Sequence, residues 1–95
     1  MIFAAIIDYT PEKTKITELR PLHREYLAGL KKEGKVVLSG PIVGDSGGII
    51  VYQTETVEET EQLMRNDPFG RGGVFVSWVI RPWNLILVNR EFLPA

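Results

Sequence analysis

The hydrophobic patterning of this chain predicts an α+β fold with the element order strand, helix, strand, strand, helix, strand. Three observations carry that reading. One segment places apolar residues at helical spacing with charge on the opposite side and a second opens on a helix-capping signature, four short apolar runs have the length of strands, and clusters of Gly, Pro and Asp separate them. At 95 residues and 44% hydrophobic content, 1–95 is expected to form one domain, with 84–95 as a C-terminal extension.

Ile2 to Ile7 is a continuous apolar run closed by Asp8-Tyr9-Thr10-Pro11, the pattern of a strand buried on both faces. Leu19, Leu22, His23, Tyr26, Leu27 and Leu30 then recur along one helical face, while Glu18, Arg24, Glu25, Lys31 and Lys32 take the other. Pro21 fits best in a first turn, so regular helix is expected from near Arg20, with His23 close to the positive end and Gly34 as the stop. Lys35 to Ser39 and Ile49 to Gln53 read as a hairpin across a turn at Gly44 to Gly48. Thr56 followed by Glu59 is a capping-box signature, and the second helix runs from it through Leu63 and Met64 to Asp67-Pro68. Gly72-Gly73 leads into a fourth strand, Val74 to Ile80, and Leu85 to Val88 has the composition of an additional edge strand. The order is that of the ferredoxin-like βαββαβ arrangement.

Both alternating sets of the first strand are apolar, Ile2/Ala4/Ile6 and Phe3/Ala5/Ile7, and the fourth strand is similar. Two helices on one face of a sheet cannot hide both sets. A second copy of the chain, sheet against sheet, is the expected cover, which makes the protein a homodimer.

Composition narrows the chemistry. The 11 basic and 12 acidic residues nearly cancel, which argues against a nucleic-acid or anionic-membrane partner. With no cysteine and one histidine, a structural or catalytic metal is not expected, and Asp45-Ser46-Gly47-Gly48 lacks the lysine of a phosphate loop. No signature of haem, flavin or another cofactor is present. Met1 to Ile7 has no basic leader or cleavage site, and no apolar run approaches the ~20 residues of a spanning helix. A soluble, cytoplasmic protein is the expectation.

What remains for chemistry is the lone imidazole. On an apolar stripe His23 reads either as a core side chain bonded to a backbone carbonyl or as a general base. Asp67 reads either as a turn residue before Pro68 or as the carboxylate that orients His23. At the end of a helix a carboxylate faces the negative pole of the dipole, and protonated His23, Arg65 or Arg71 would offset that. Arg20, one turn before His23, is a candidate for holding a substrate oxyanion or for a surface ion pair. Ser39 ends a strand and can donate into a cleft, and Tyr9, Tyr26, Phe69 and Trp83 are candidate walls of an aromatic pocket as well as core residues.

Arg20-x-x-His23-x-x-Tyr26-Leu27, the strand into Ser39-Gly40-Pro41, Gly47-Gly48, Asp67-Pro68-Phe69 and Arg81-Pro82-Trp83 together resemble the YCII family of small YciI-like proteins. The resemblance spans nearly the whole chain, to about Trp83, and the tail from Asn84 to Ala95 exceeds the family pattern, as a cover for a neighbouring subunit or a lid on the cleft. It implies a dimeric alpha+beta barrel and a His-Asp pair in a cleft, matched here by His23 and Asp67. One branch of the family is similar to dehydrochlorinases of hydroxyhydroquinone, and the wider barrel group includes muconolactone isomerases. The expected activity is therefore cofactor-independent acid/base chemistry on a small oxygenated ring compound: elimination of HCl from a chlorinated hydroxyhydroquinone, or isomerisation of a ring-derived lactone. A dimer that binds a ligand without transforming it, and a purely structural dimerisation module, are the alternatives.

Overall fold

β1 (Ile2–Tyr9) occupies an inner position of a four-stranded sheet, between β3 (Gly47–Gln53) and β4 (Phe75–Pro82), and β2 (Val36–Pro41) pairs with the far side of β3. All neighbours are antiparallel. α1 (Lys13–Lys32), α2 (Val57–Asn66) and the single turn α3 (Pro68–Arg71) complete the chain in the computed structural model, which describes residues 1–92. The order β2-β3-β1-β4 is the ferredoxin-like topology expected from the sequence.

Strand alternation sorts β1 into two sets. Phe3, Ala5, Ile7 and Tyr9 are buried, and the last three form one core cluster with Ile50, Tyr52 and Phe75 from the neighbouring strands and Ile16, Leu27, Leu30, Met64 and Phe69 from the helices. On the other face Ile6, Leu38, Ile49 and Val79 remain 38–55% exposed. The helices thus cover one face only, as the two-sided apolar pattern requires.

Three elements differ from expectation. α1 begins at Lys13, nearly two turns before Arg20, so Pro21 lies inside the helix. It is exposed there, as is Thr17, whose carbonyl loses its usual N–H partner and faces solvent instead. His23 is consequently the eleventh of twenty helical residues, and a terminal dipole effect on it is absent. Leu85 to Val88 forms no strand: the chain leaves the sheet after the Trp83 N–H bonds the Ile2 carbonyl at 2.8 Å, and an apolar run without a neighbouring backbone has no ladder to join. α3 is an addition to the expected set. It forms because Asp67, extended as a residue before proline must be, ends α2 and caps the next turn through its own side chain.

The second helix starts as its signature indicates. The Thr56 hydroxyl accepts the Glu59 N–H at 3.1 Å, and the Glu59 carboxylate accepts the N–H of Glu55, one residue before the cap, at 3.1 Å. Between β2 and β3 the turn is tighter than Gly44 to Gly48 suggested. Gly47 and Gly48 already belong to β3, and the reversal falls on Gly44 and Asp45, both with positive φ.

Candidate active site

His23 projects from the middle of α1 toward the junction of α2 and α3. There its Nδ1 lies 2.8 Å from Oδ1 and 2.9 Å from Oδ2 of Asp67. A carboxylate only accepts, so Nδ1 carries a proton, and in the neutral imidazole Nε2 is the nitrogen with the lone pair. The Asp67 Oδ1 also accepts the N–H of Phe69 at 2.9 Å. Both roles considered for Asp67 are therefore present in one side chain, which caps a helical turn and holds the imidazole while fully buried.

The imidazole plane is fixed by aromatic packing. Phe69 stacks on it with ring centroids 3.9 Å apart and planes within 6°, and Phe75 meets it edge-on at 6.0 Å. Phe69 thus positions His23 twice, through its ring and through the amide that anchors Asp67. Gly70 follows because a Cβ there would collide with the Met64 carbonyl, which lets α3 close against the end of α2.

A cavity of about 170 Å³ opens beside the histidine, between α1 and the β2 end of the sheet. Leu27, Ile50, Phe69 and Pro41 supply apolar wall; Tyr9, Arg20, His23, Arg24 and Ser39 supply polar groups. A dry cavity of about 150 Å³ accommodates benzene. The space therefore suits one small ring with few substituents.

Charge is unevenly placed around it. Arg20 and Arg24, four residues apart on one face of α1, both reach the cavity, and Arg20 Nη2 lies 2.9 Å from the Asp45 carboxylate in the β2–β3 turn. The Tyr9 phenol is pushed up to about 12, first by burial and then by the negative charge of Asp67, with the Arg20 guanidinium acting in the opposite sense. It is a neutral hydroxyl, a donor, at any ordinary pH.

Of the side chains expected at a site, His23, Asp67, Arg20, Ser39, Tyr9 and Phe69 converge here. Tyr26 and Trp83 do not. Tyr26, three residues past His23, turns toward α2 and donates its hydroxyl to the Leu63 carbonyl at 2.8 Å. Trp83 follows Pro82, which pairs with the inward-facing Phe3, so alternation puts it on the opposite face with Ala4, Ile6 and Val51. Arg24 and Asp45 were not anticipated. Spacing from Arg20 marks Arg24; nothing in the local sequence marks Asp45.

Burial raises the pKa of all three tyrosines of the chain, Tyr9, Tyr26 and, most strongly, Tyr52. The unfolded chain, with phenols near 10, loses its protons first, so folding stability is complete below pH 10 and falls as pH rises toward the folded values. Alkaline titration followed at 295 nm should show little tyrosinate at pH 10 and a rise coincident with loss of circular dichroism. A simple phenol transition centred on 10 in the folded protein would contradict this.

The fold has a close counterpart among solved structures. The 5-chloro-2-hydroxyhydroquinone dehydrochlorinase (TftG) of Burkholderia phenoliruptrix AC1100, in complex with 2,5-dihydroxybenzoquinone, superposes with a TM-score of 0.79 at 23% sequence identity, over 88% of this chain and 94% of that one. Among curated proteins, no relative matches. The model of the YCII-related domain matches residues 1–84, and with the four-stranded antiparallel fold in place the conclusion is direct: this chain belongs to the YCII-related domain family.

Proposed function

We propose that the protein is a cofactor-independent enzyme that removes a proton from a small hydroxylated ring compound. The observation that carries this reading is a single imidazole held through Nδ1 by a buried carboxylate, 2.8 Å away, beside a cavity of ring size. Its Nε2 makes no hydrogen bond to the described residues, so it is available to accept a proton from substrate. Asp67 orients the ring and stabilises the imidazolium that forms, the division of labour of a catalytic dyad. Arg20, with Ser39 and the Tyr9 hydroxyl, stabilises the negative charge left on the substrate oxygen.

The likeness to a dehydrochlorinase supports elimination as the reaction. On a chlorinated hydroxyhydroquinone one hydroxyl proton passes to Nε2 and the oxygen electron pair moves into the ring, so that the carbon bearing chlorine takes up a proton as the ring ketonises; loss of a second hydroxyl proton then drives chloride out with the C–Cl pair and leaves a hydroxyquinone. The net loss is HCl, and no external oxidant is required. The test is incubation with chlorinated and unchlorinated quinols, catechols and lactones, followed by ultraviolet spectroscopy and chloride release. Turnover that disappears in His23→Asn supports the reading. Tight binding without conversion of any compound makes the protein a ligand carrier instead.

The working unit is proposed to be a homodimer. Ala4, Ile6, Leu38, Ile49 and Val51 line an apolar groove on the uncovered sheet face, bordered by Pro82 and Trp83. Exposed apolar surface of that continuity is uncommon on a monomer. Sedimentation equilibrium should give twice the 10.7 kDa chain mass at micromolar concentration, and Ile6→Lys should shift it to the monomer. A wild-type monomer at that concentration would refute the assignment. No helix of the described residues is long and apolar enough to cross a membrane.

A further inference from the structure

Resting on the reading above, we propose that the site binds its ring compound as an oxyanion, and that Asp45 is a built-in counter-ion which that oxyanion displaces from Arg20. The first observation is a mismatch at the Arg20–Asp45 contact. Nη2 lies 2.9 Å from Asp45 Oδ2, yet its N–H vectors do not align on that oxygen, so this solvent-sealed nitrogen has an ion-pair neighbour and no hydrogen-bond acceptor. A buried donor without an acceptor is unfavourable, and an oxygen that takes the place of the Asp45 carboxylate in line with those N–H groups relieves it. The pair is a place-holder with its donors pointing elsewhere.

Two further groups point the same way. Arg24 faces the same cavity with no carboxylate partner among the described residues, so two guanidinium groups stand against one accessible carboxylate. Asp67, the other acid nearby, is buried and engaged by His23 and the Phe69 amide. The Tyr9 hydroxyl makes no hydrogen bond within the described residues, and it rests where any side chain on Gly48 would collide with it. Glycine at that position keeps the hydroxyl in place. An anionic oxygen set between Arg20 and Tyr9 would satisfy both, with the ring on Phe69 and an ionisable position at His23 Nε2.

The turn that carries Asp45 is suited to yielding. It is tied to α1 by Lys13, whose Nζ donates to the carbonyls of Gly44 at 2.8 Å and Asp45 at 3.3 Å. The Asp45 side chain can therefore swing away while its backbone stays anchored. Asp45 has a φ of 59°, a conformation that Asn adopts as readily, so Asp45→Asn removes the charge with the turn intact.

Calorimetric titration with 2,5-dihydroxybenzoquinone, a vinylogous acid ionised at neutral pH, and with its uncharged dimethyl ether tests the proposal by binding alone. The acid should bind, more weakly as salt rises, and the ether should not. Arg20→Gln should weaken the acid roughly 10- to 100-fold, with Arg20→Lys in between. Asp45→Asn should tighten it roughly two- to fivefold. Equal binding of acid and ether, no binding of the acid at millimolar concentration, or weaker binding in Asp45→Asn would overturn the inference. The charge dependence appearing without turnover of any compound would sink the enzymatic reading and leave this one standing. Turnover lost in His23→Asn with binding indifferent to Arg20 and Asp45 would do the reverse.

Discussion

His23→Asn is expected to lower turnover by roughly 10²- to 10⁴-fold, the usual contribution of a general base, while leaving the fold intact. Asparagine retains a group able to donate to Asp67 and stays close to the size of the imidazole, so the carboxylate is not stranded. Its amide lacks the basicity to accept a proton in the transition state. The loss should fall on kcat rather than KM, because Arg20 and the walls of the 170 Å³ cavity still hold the ring. Chloride release or ring absorbance at saturating substrate reads the effect directly. A variant with wild-type kcat would remove the imidazole from the mechanism.

The second large effect belongs to Asp67, and it divides by substitution. Asp67→Asn can present an amide N–H to Nδ1, which favours the tautomer with the proton on Nε2. The atom facing the cavity then becomes a donor, and turnover should fall roughly 10²- to 10⁴-fold with little change in KM. Asp67→Ala removes more. The Phe69 N–H loses its cap and Nδ1 is left buried without an acceptor, a combined loss of about 2–4 kcal/mol in folding stability. Thermal unfolding should therefore fall well below wild type in the alanine variant and only modestly in the asparagine one. Equal melting temperatures for wild type and Asp67→Ala would mean that the carboxylate holds nothing in place.

How much of this could be read from residue order depends on the range of the interaction concerned. The fold was legible because each signal is local: a continuous apolar run in β1, helical spacing from Leu19 to Leu30, Thr56 with Glu59. Six of the eight side chains singled out from motif and spacing lie around one cavity, which is a statement of position. The two that went elsewhere illustrate the limit. Tyr26 lies one turn beyond His23, yet a turn of 3.6 residues leaves it rotated toward α2. Trp83 is decided by strand register, which a one-residue shift inverts. Pro21 misled in another way, since its usual preference for a first turn gave way to eight residues of helix before it whose solvent face tolerates one missing hydrogen bond. Asp45 was illegible because its partner is a guanidinium 25 positions away, brought near only when the hairpin folds over α1.

The oxygen that Phe69 and His23 share gives the molecule an internal gauge. Protonation of the imidazole redistributes electron density on Asp67 Oδ1, and the amide proton bound to that same atom must respond in its magnetic shielding. One backbone resonance, buried and remote from bulk water, thus follows the charge of the only histidine, in the apo protein as well as with a compound in the hollow beside it.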